Sequence, residues 1–312
     1  MKRSLAGLRI GIFATAVAIV GMSRASGEVG DPAWADCQSD RLGASHRIAA
    51  CTQVVSRPTA SPELVAEALF VRAALLEEQG DHRGAIADLT RSLELDPDSP
   101  GALVNRGNQF SALRDYQRAI ADYDAAIGID PRHAIALMMR GVARRRLGDL
   151  DRAIADYDEA ISIDPRLHQA FFNRGMAFGL LRDTDRAMLD FDEAIRLDPN
   201  YARAYSGRCW LRTITHTDPQ RGLADCNRSL QLQPNDPAAL DNRGFINLLL
   251  GDAGAALRDY DAAVRADPNY AGSLYGRGLS RVRLGQNEQG EADMRAAEAM
   301  DPAVASLFDA IR

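Results

Sequence analysis

The sequence predicts an all-α protein, a solenoid of antiparallel helix pairs stacked one on the next. Three observations carry this expectation. Prolines recur at positions 97, 131, 165, 199, 234, 268 and 302, spaced by 34 residues except for one step of 35. A similar phrase precedes each proline, as in RAIADYDAAIGIDP, RAIADYDEAISIDP and RAMLDFDEAIRLDP. Within a unit such as 134–167, apolar and small residues recur at three-to-four spacing on both sides of Leu-Gly-Asp. That pattern describes two amphipathic helices joined by a tight turn, with Gly148 suited to the positive-φ position at a helix end. Asp-Pro closes the second helix, because proline disfavours helical geometry in the residue before it. One such pair cannot cover its own apolar face, so neighbours must stack.

Along the chain, residues 1–25 read as a secretory signal peptide. MKRSLAGLR is basic, and IGIFATAVAIVGM is an uncharged, mostly apolar run, shorter than the roughly 20 residues of a membrane span. Ser23 and Ala25 suit cleavage after Ala25, and no cysteine follows there for a lipid anchor. The expected location is therefore exported and periplasmic, without stable membrane insertion once the signal is removed. An uncleaved N-terminal anchor and full secretion are the alternatives. Cleavage would delete Lys2, Arg3, Arg9 and Arg24 and no acid, moving the formal charge from −6 to about −10. An acidic chain without a basic tract is not built for nucleic acid.

Residues 26–65 hold a degraded helical repeat with one cysteine pair, since RIAACTQVV aligns with the RAIADYDEAI phrase. Seven units follow at 66–99, 100–133, 134–167, 168–201, 202–236, 237–270 and 271–304, and residues 305–312 begin a short capping helix. With each unit counted so that its proline is position 32, small residues fall at 8, 20 and 27. Tyr123, Tyr157, Phe191 and Tyr260 hold position 24. Arginine occupies position 7 in all seven units (Arg72, Arg106, Arg140, Arg174, Arg208, Arg243, Arg277). Aspartate occupies position 23 (Asp88, Asp122, Asp156, Asp190, Asp225, Asp259, Asp293). Residues 16 apart around an antiparallel turn can meet, so an Arg–Asp ladder is expected.

The small and aromatic positions on a 34-residue period resemble the tetratricopeptide repeat family over about residues 66–304. The resemblance implies a right-handed superhelix whose first helices line a concave groove. By the family's groove positions, Asn105, Asn108, Met138, Met139, Arg145, Arg146, Phe172, Asn173, Met176, Arg203, Trp210, Asn242, Phe245, Tyr275 and Arg283 would face a protein or peptide ligand. The apolar members have a competing role, packing between adjacent helices. Chaperone-binding members grip a terminal carboxylate with Lys, Asn and Arg. Asn105, Asn173 and Asn242 match the asparagine, but lysine occurs only at Lys2, so that clamp is not carried over.

The sequence offers little chemistry. His46, His82, His133, His168 and His216 are scattered through the repeat, with no HExxH, CxxC or phosphate-loop motif, and read as solvated or turn residues. No catalytic residue and no cofactor or metal site is expected. The stretch CWLRTITHTDPQRGLADC, residues 209–226, is the exception to the monotony. Cys209 falls at position 8 and Cys226 at position 24 of the facing helix, and one inserted residue in the turn explains the 35-residue step. An exported chain favours a disulfide here, and by the same logic between Cys37 and Cys51. A zinc site would have only two cysteines and His216. Two functions stay open: a non-catalytic scaffold for envelope or secreted assemblies, or a thiol-redox or metal-binding protein centred on the cysteines.

Overall fold

In the computed structural model the described residues are 31–311, and the expected signal peptide, residues 1–25, lies outside them. The chain divides into two compact units, meeting between Pro165 and Arg166. The first contains α1 (Pro32–Gln38), α2 (Ala44–Val55), α3 (Pro62–Glu78), α4 (His82–Leu95), α5 (Pro100–Ala112), α6 (Tyr116–Ile129), α7 (Ala134–Arg146) and α8 (Leu150–Ile163). The second contains α9 (His168–Leu180), α10 (Thr184–Leu197), α11 (Ala202–Thr215), α12 (Pro219–Leu232), α13 (Pro237–Leu249), α14 (Ala253–Ala266), α15 (Ala271–Arg283) and α16 (Asn287–Met300). A 3-10 helix, Val304–Ile311, ends it. Among the described residues there is no strand, and each odd-numbered α-helix pairs with the even-numbered one that follows.

The turn within each hairpin is built from two residue types. Gly80, Gly148, Gly251 and Gly285 take positive φ after the first helix, and Arg114 and Arg182 adopt the same left-handed geometry at equivalent places. In six hairpins the residue before the second helix is an aspartate that caps it, whereas Gln286, after Gly285, makes no side-chain cap. Asp81, Asp115, Asp149, Asp183, Asp218 and Asp252 each accept a hydrogen bond from the backbone N–H three residues on. At the far end, the residue before each repeat proline leaves the helical region, as Asp130 does at φ −124° and ψ 93°.

Helix pairs approach closely because an aromatic ring is set against glycine. Phe191 of α10 lies between Gly175 of α9 and Gly207 of α11, and Tyr260 of α14 lies between Gly244 of α13 and Gly276 of α15. Both rings are fully buried. A Cβ at Gly276 would stand 2.3 Å from Cζ of Tyr260, so nothing larger than glycine fits without moving the ring.

The seven repeat arginines meet the seven repeat aspartates. Each donates from Nε and Nη2 to the two carboxylate oxygens, at 2.5–3.2 Å. The pairing of residues equidistant from the turn shows that the helices run antiparallel. The aspartates are buried. The third edge of the guanidinium reaches back one hairpin: Nη1 donates from Arg106 to Thr90, from Arg140 to Asp124, and from Arg243 to Asn227. Position 11 adds donors in four units, Arg144 to Asp156, Arg212 to Asp225, Asn247 to Asp259 and Arg281 to Asp293. The hydrogen bond to Asp122 raises the Arg106 pKa above the usual arginine value against the opposing cost of burial.

Two substitutions test these contacts. A double-mutant cycle on Arg140→Gln and Asp156→Asn, read by thermal melting, should return a coupling of about 1–3 kcal/mol, because each single change leaves a half-buried group without its fork partner. Zero coupling would remove the ladder's structural role. Gly276→Ala should cost about 1–3 kcal/mol by overpacking against Tyr260, and a melting temperature equal to wild type would refute the wedge.

Candidate functional site

The face made by the first helix of each hairpin carries the residues expected to bind a ligand. In the unit holding residues 31–165, Asn105, Asn108, Met139 and Arg146 are half-buried, while Met138 and Arg145 are buried. Asn108 accepts a hydrogen bond from the Tyr123 hydroxyl at 2.8 Å. Met139 packs against the apolar core around Tyr123. Beside them lies a polar cluster that the sequence reading passed over. His82 is not a solvated histidine, because its Nδ1 is 2.9 Å from Oε1 of the buried Gln109. Burial raises the Glu77 pKa, against the hydrogen bond to Gln109 and the influence of His82.

In the unit holding residues 166–311, Phe172, Asn173, Met176, Asn242, Phe245 and Tyr275 are buried, Arg203 and Trp210 are half-buried, and Arg283 is exposed. Phe172 meets Tyr201 edge-on at 5.6 Å, and the Arg203 guanidinium stands 4.8 Å over the Phe172 ring. Asn173 turns its amide onto the carbonyl of Gln169 at 2.8 Å. Trp210 lies against Gly179 of the preceding first helix. Burial lowers the His168 pKa, and the ring packs edge-on against Tyr201 at 4.7 Å. His216 stacks on Phe245 at 5.7 Å. His168 is therefore not a solvated residue, because Tyr201 covers its ring, whereas His216 does stand in a turn, the one between α11 and α12, with its ring on Phe245.

The 3-10 helix Val304–Ile311 occupies part of this face. Phe308 is buried against Phe245 at 5.6 Å and against Tyr275 at 5.1 Å, with Val304 and Ile311 also buried. Arg283 donates to the Leu248 carbonyl at 2.8 Å and also to the carbonyl of Ile311. Three residues expected to contact a ligand, Phe245, Tyr275 and Arg283, thus contact a segment of the same chain. The segment is a 3-10 helix of eight residues.

All four cysteines are paired. Cys37 joins Cys51 with α-carbons 4.8 Å apart, and Cys209 joins Cys226 at 5.5 Å, within the range a disulfide spans. All four residues are fully buried. Cys209 and Cys226 stand where four other hairpins set a ring against glycine (Gly107–Tyr123, Gly141–Tyr157, Gly175–Phe191, Gly244–Tyr260), and Ile246 of α13 packs on them. Among the described residues no three His, Cys, Asp or Glu side chains gather as a metal site, and no helix is long and apolar enough to cross a membrane.

Models of the tetratricopeptide repeat match residues 66–99, 104–168, 168–201 and 211–274. The chain belongs to the tetratricopeptide repeat family. Solved structures agree on the fold. A tetratricopeptide repeat protein from Parabacteroides merdae is 20% identical, with 79% of this chain and 98% of that one covered and a TM-score of 0.59. PilW, described as a type IV pilus biogenesis factor, is 22% identical over 67% of this chain and 98% of its own, with a TM-score of 0.58. The pilF protein of Pseudomonas aeruginosa is 18% identical over 66% and 94%, with a TM-score of 0.57. No curated protein sequence matches the chain.

Replacing Cys209 and Cys226 together by serine should lower the stability of this tetratricopeptide hairpin by about 3 kcal/mol, the entropy of a loop of this length. Hydrogen exchange in α11 and α12 would report it, and unchanged protection would show that packing alone holds the hairpin.

Proposed function

We propose that the protein is an exported, non-catalytic scaffold that binds a protein or peptide on the face of its first helices and assists assembly of envelope or secreted complexes. The observation that carries this reading is Val304–Ile311. A short segment with one aromatic anchor, Phe308, lies on Phe245 and Tyr275 while Arg283 takes a backbone carbonyl. That is the chemistry by which a groove holds a polypeptide in general: an apolar pocket for an anchor and a donor for the main chain. The half-buried Asn105, Asn108, Arg146, Arg203 and Trp210 offer amides, cations and aromatic surface of the same kind.

Export rests on the basic and apolar run at residues 1–25 together with two cystines, which persist in oxidising compartments. The periplasm is the compartment this favours. The thiol-redox alternative draws no support from the cysteines, because disulfides that exchange need access to an attacking thiolate and these four residues are fully buried.

A photo-crosslinking amino acid placed at Asn105 or Arg203, on first helices, should capture discrete partners from the native envelope. The same group at Leu189, exposed on the second helix α10, should not. Equal capture of the same partners from all three positions would reject the face as the binding surface.

A further inference from the structure

The segment Val304–Ile311 reaches back past the last hairpin. It touches α15 and α16, and also α13 of the hairpin before. Phe308 meets Phe245 of α13 at 5.6 Å and Tyr275 of α15 at 5.1 Å, and His216 stacks on the same Phe245 ring. Val304, Phe308 and Ile311, spaced by four and three residues, are buried, while Asp309 is exposed. Arg283 completes the contact by donating to the Ile311 carbonyl.

The last hairpin has ties of its own that do not involve this segment. Arg277 donates to both oxygens of Asp293 at 2.8 and 2.7 Å, and Arg281 adds a third hydrogen bond at 2.7 Å. Tyr260, between Gly244 and Gly276, joins the hairpin to the level before it. The segment is tethered to α16 through Asp301–Ala303, where Asp301 accepts from the backbone N–H groups of Ala303 and Val304. Rotation in that turn would lift the segment away without separating α15 from α16. A helix this short is not stable alone in water, and a 3-10 run of eight residues is uncommon, so its order comes from the surface beneath it. Lifting it would uncover two aromatic rings side by side, an apolar patch that water does not satisfy.

We propose that Val304–Ile311 is an internal ligand that keeps the surface of Phe245, Tyr275 and Arg283 closed until a partner displaces it. The partner is a polypeptide segment with one aromatic side chain, an aliphatic one four residues before it and another three after. Its main chain gives Arg283 the carbonyl that Ile311 now gives. Because the incoming segment replaces the same three apolar contacts and the same hydrogen bond, the internal ligand sets a threshold for binding that a sufficiently concentrated partner overcomes. The proposal rests on the groove reading above for its polypeptide and adds to it a regulation of that surface.

Two measurements on the full chain test it. In hydrogen exchange of the wild type, the backbone amides of 304–311 should exchange at least about tenfold faster than those of α15 and α16, because the segment opens alone. Exchange of all three elements at one rate would make the segment a fixed part of the last hairpin and overturn the proposal. In the second, a labelled copy of the segment, Ac-VASLFDAI-NH2, is titrated. Phe308→Ala, which removes the segment's anchor, should bind the peptide about tenfold tighter than wild type does, as expected if the wild-type surface is open about one-tenth of the time. Ac-VASLADAI-NH2 should bind neither protein. Melting of α15 and α16 in Phe308→Ala would identify a structural cap and overturn the proposal. Equal binding of Ac-VASLFDAI-NH2 to both proteins would overturn the closure and leave polypeptide binding standing. Binding to neither would also overturn the proposal, and crosslinking at Asn105 and Arg203, on other first helices, then decides the groove reading by itself.

Discussion

The contact on which the stacking depends is an aromatic ring held between glycines of consecutive hairpins. A helix pair alone leaves an apolar face in water, and only close approach of the next pair removes that face. Tyr260, between Gly244 and Gly276, shows the constraint in its tightest form. The ring belongs to one hairpin and is buried by two, so neither hairpin is complete without the other. Protein interiors pack at crystal-like density, which leaves such a wedge no slack for an added methyl group.

The arginine forks are layered on this geometry. Once the wedge sets the helix separation, position 7 and position 23 face each other across the hairpin, and a planar guanidinium spans them with two hydrogen bonds. The third nitrogen reaches the preceding hairpin, so one side chain ties two levels of the stack. Each pair sits in a half-buried setting where attraction is less screened than at the surface but desolvation is only partial. Regular placement therefore matters more than the strength of any single pair.

Much of the fold was legible because repetition amplified weak signals. One Asp-Pro says little, whereas a recurring proline on a fixed period locates every helix pair, and the spacing of Arg140 and Asp156 around a turn predicted their contact. The ligand-facing residues were less legible. Repeat position says which way a side chain points, but burial depends on what the neighbouring hairpin places above it. Met176 and Phe245 hold groove positions and are covered, while Asn105 and Arg203 stay partly open. Sequence alone also gave no sign that Phe308 would lie on Phe245, or that His82 would find Gln109. Both contacts join different hairpins, and no local pattern encodes them.

The hairpin at residues 202–236 breaks the rule that each level needs its neighbour. Its two helices are joined covalently through Cys209 and Cys226 where the hairpins of Tyr123, Tyr157, Phe191 and Tyr260 set a ring against glycine, and Ile246 supplies the contact with the next level. In a quasi-one-dimensional array, opening spreads from an end by loss of nearest-neighbour contacts. A level closed by its own covalent bond acts as a firebreak: fraying that begins at Val304–Ile311 and runs back through α16 to α13 meets a hairpin that keeps its shape when the level above it has melted.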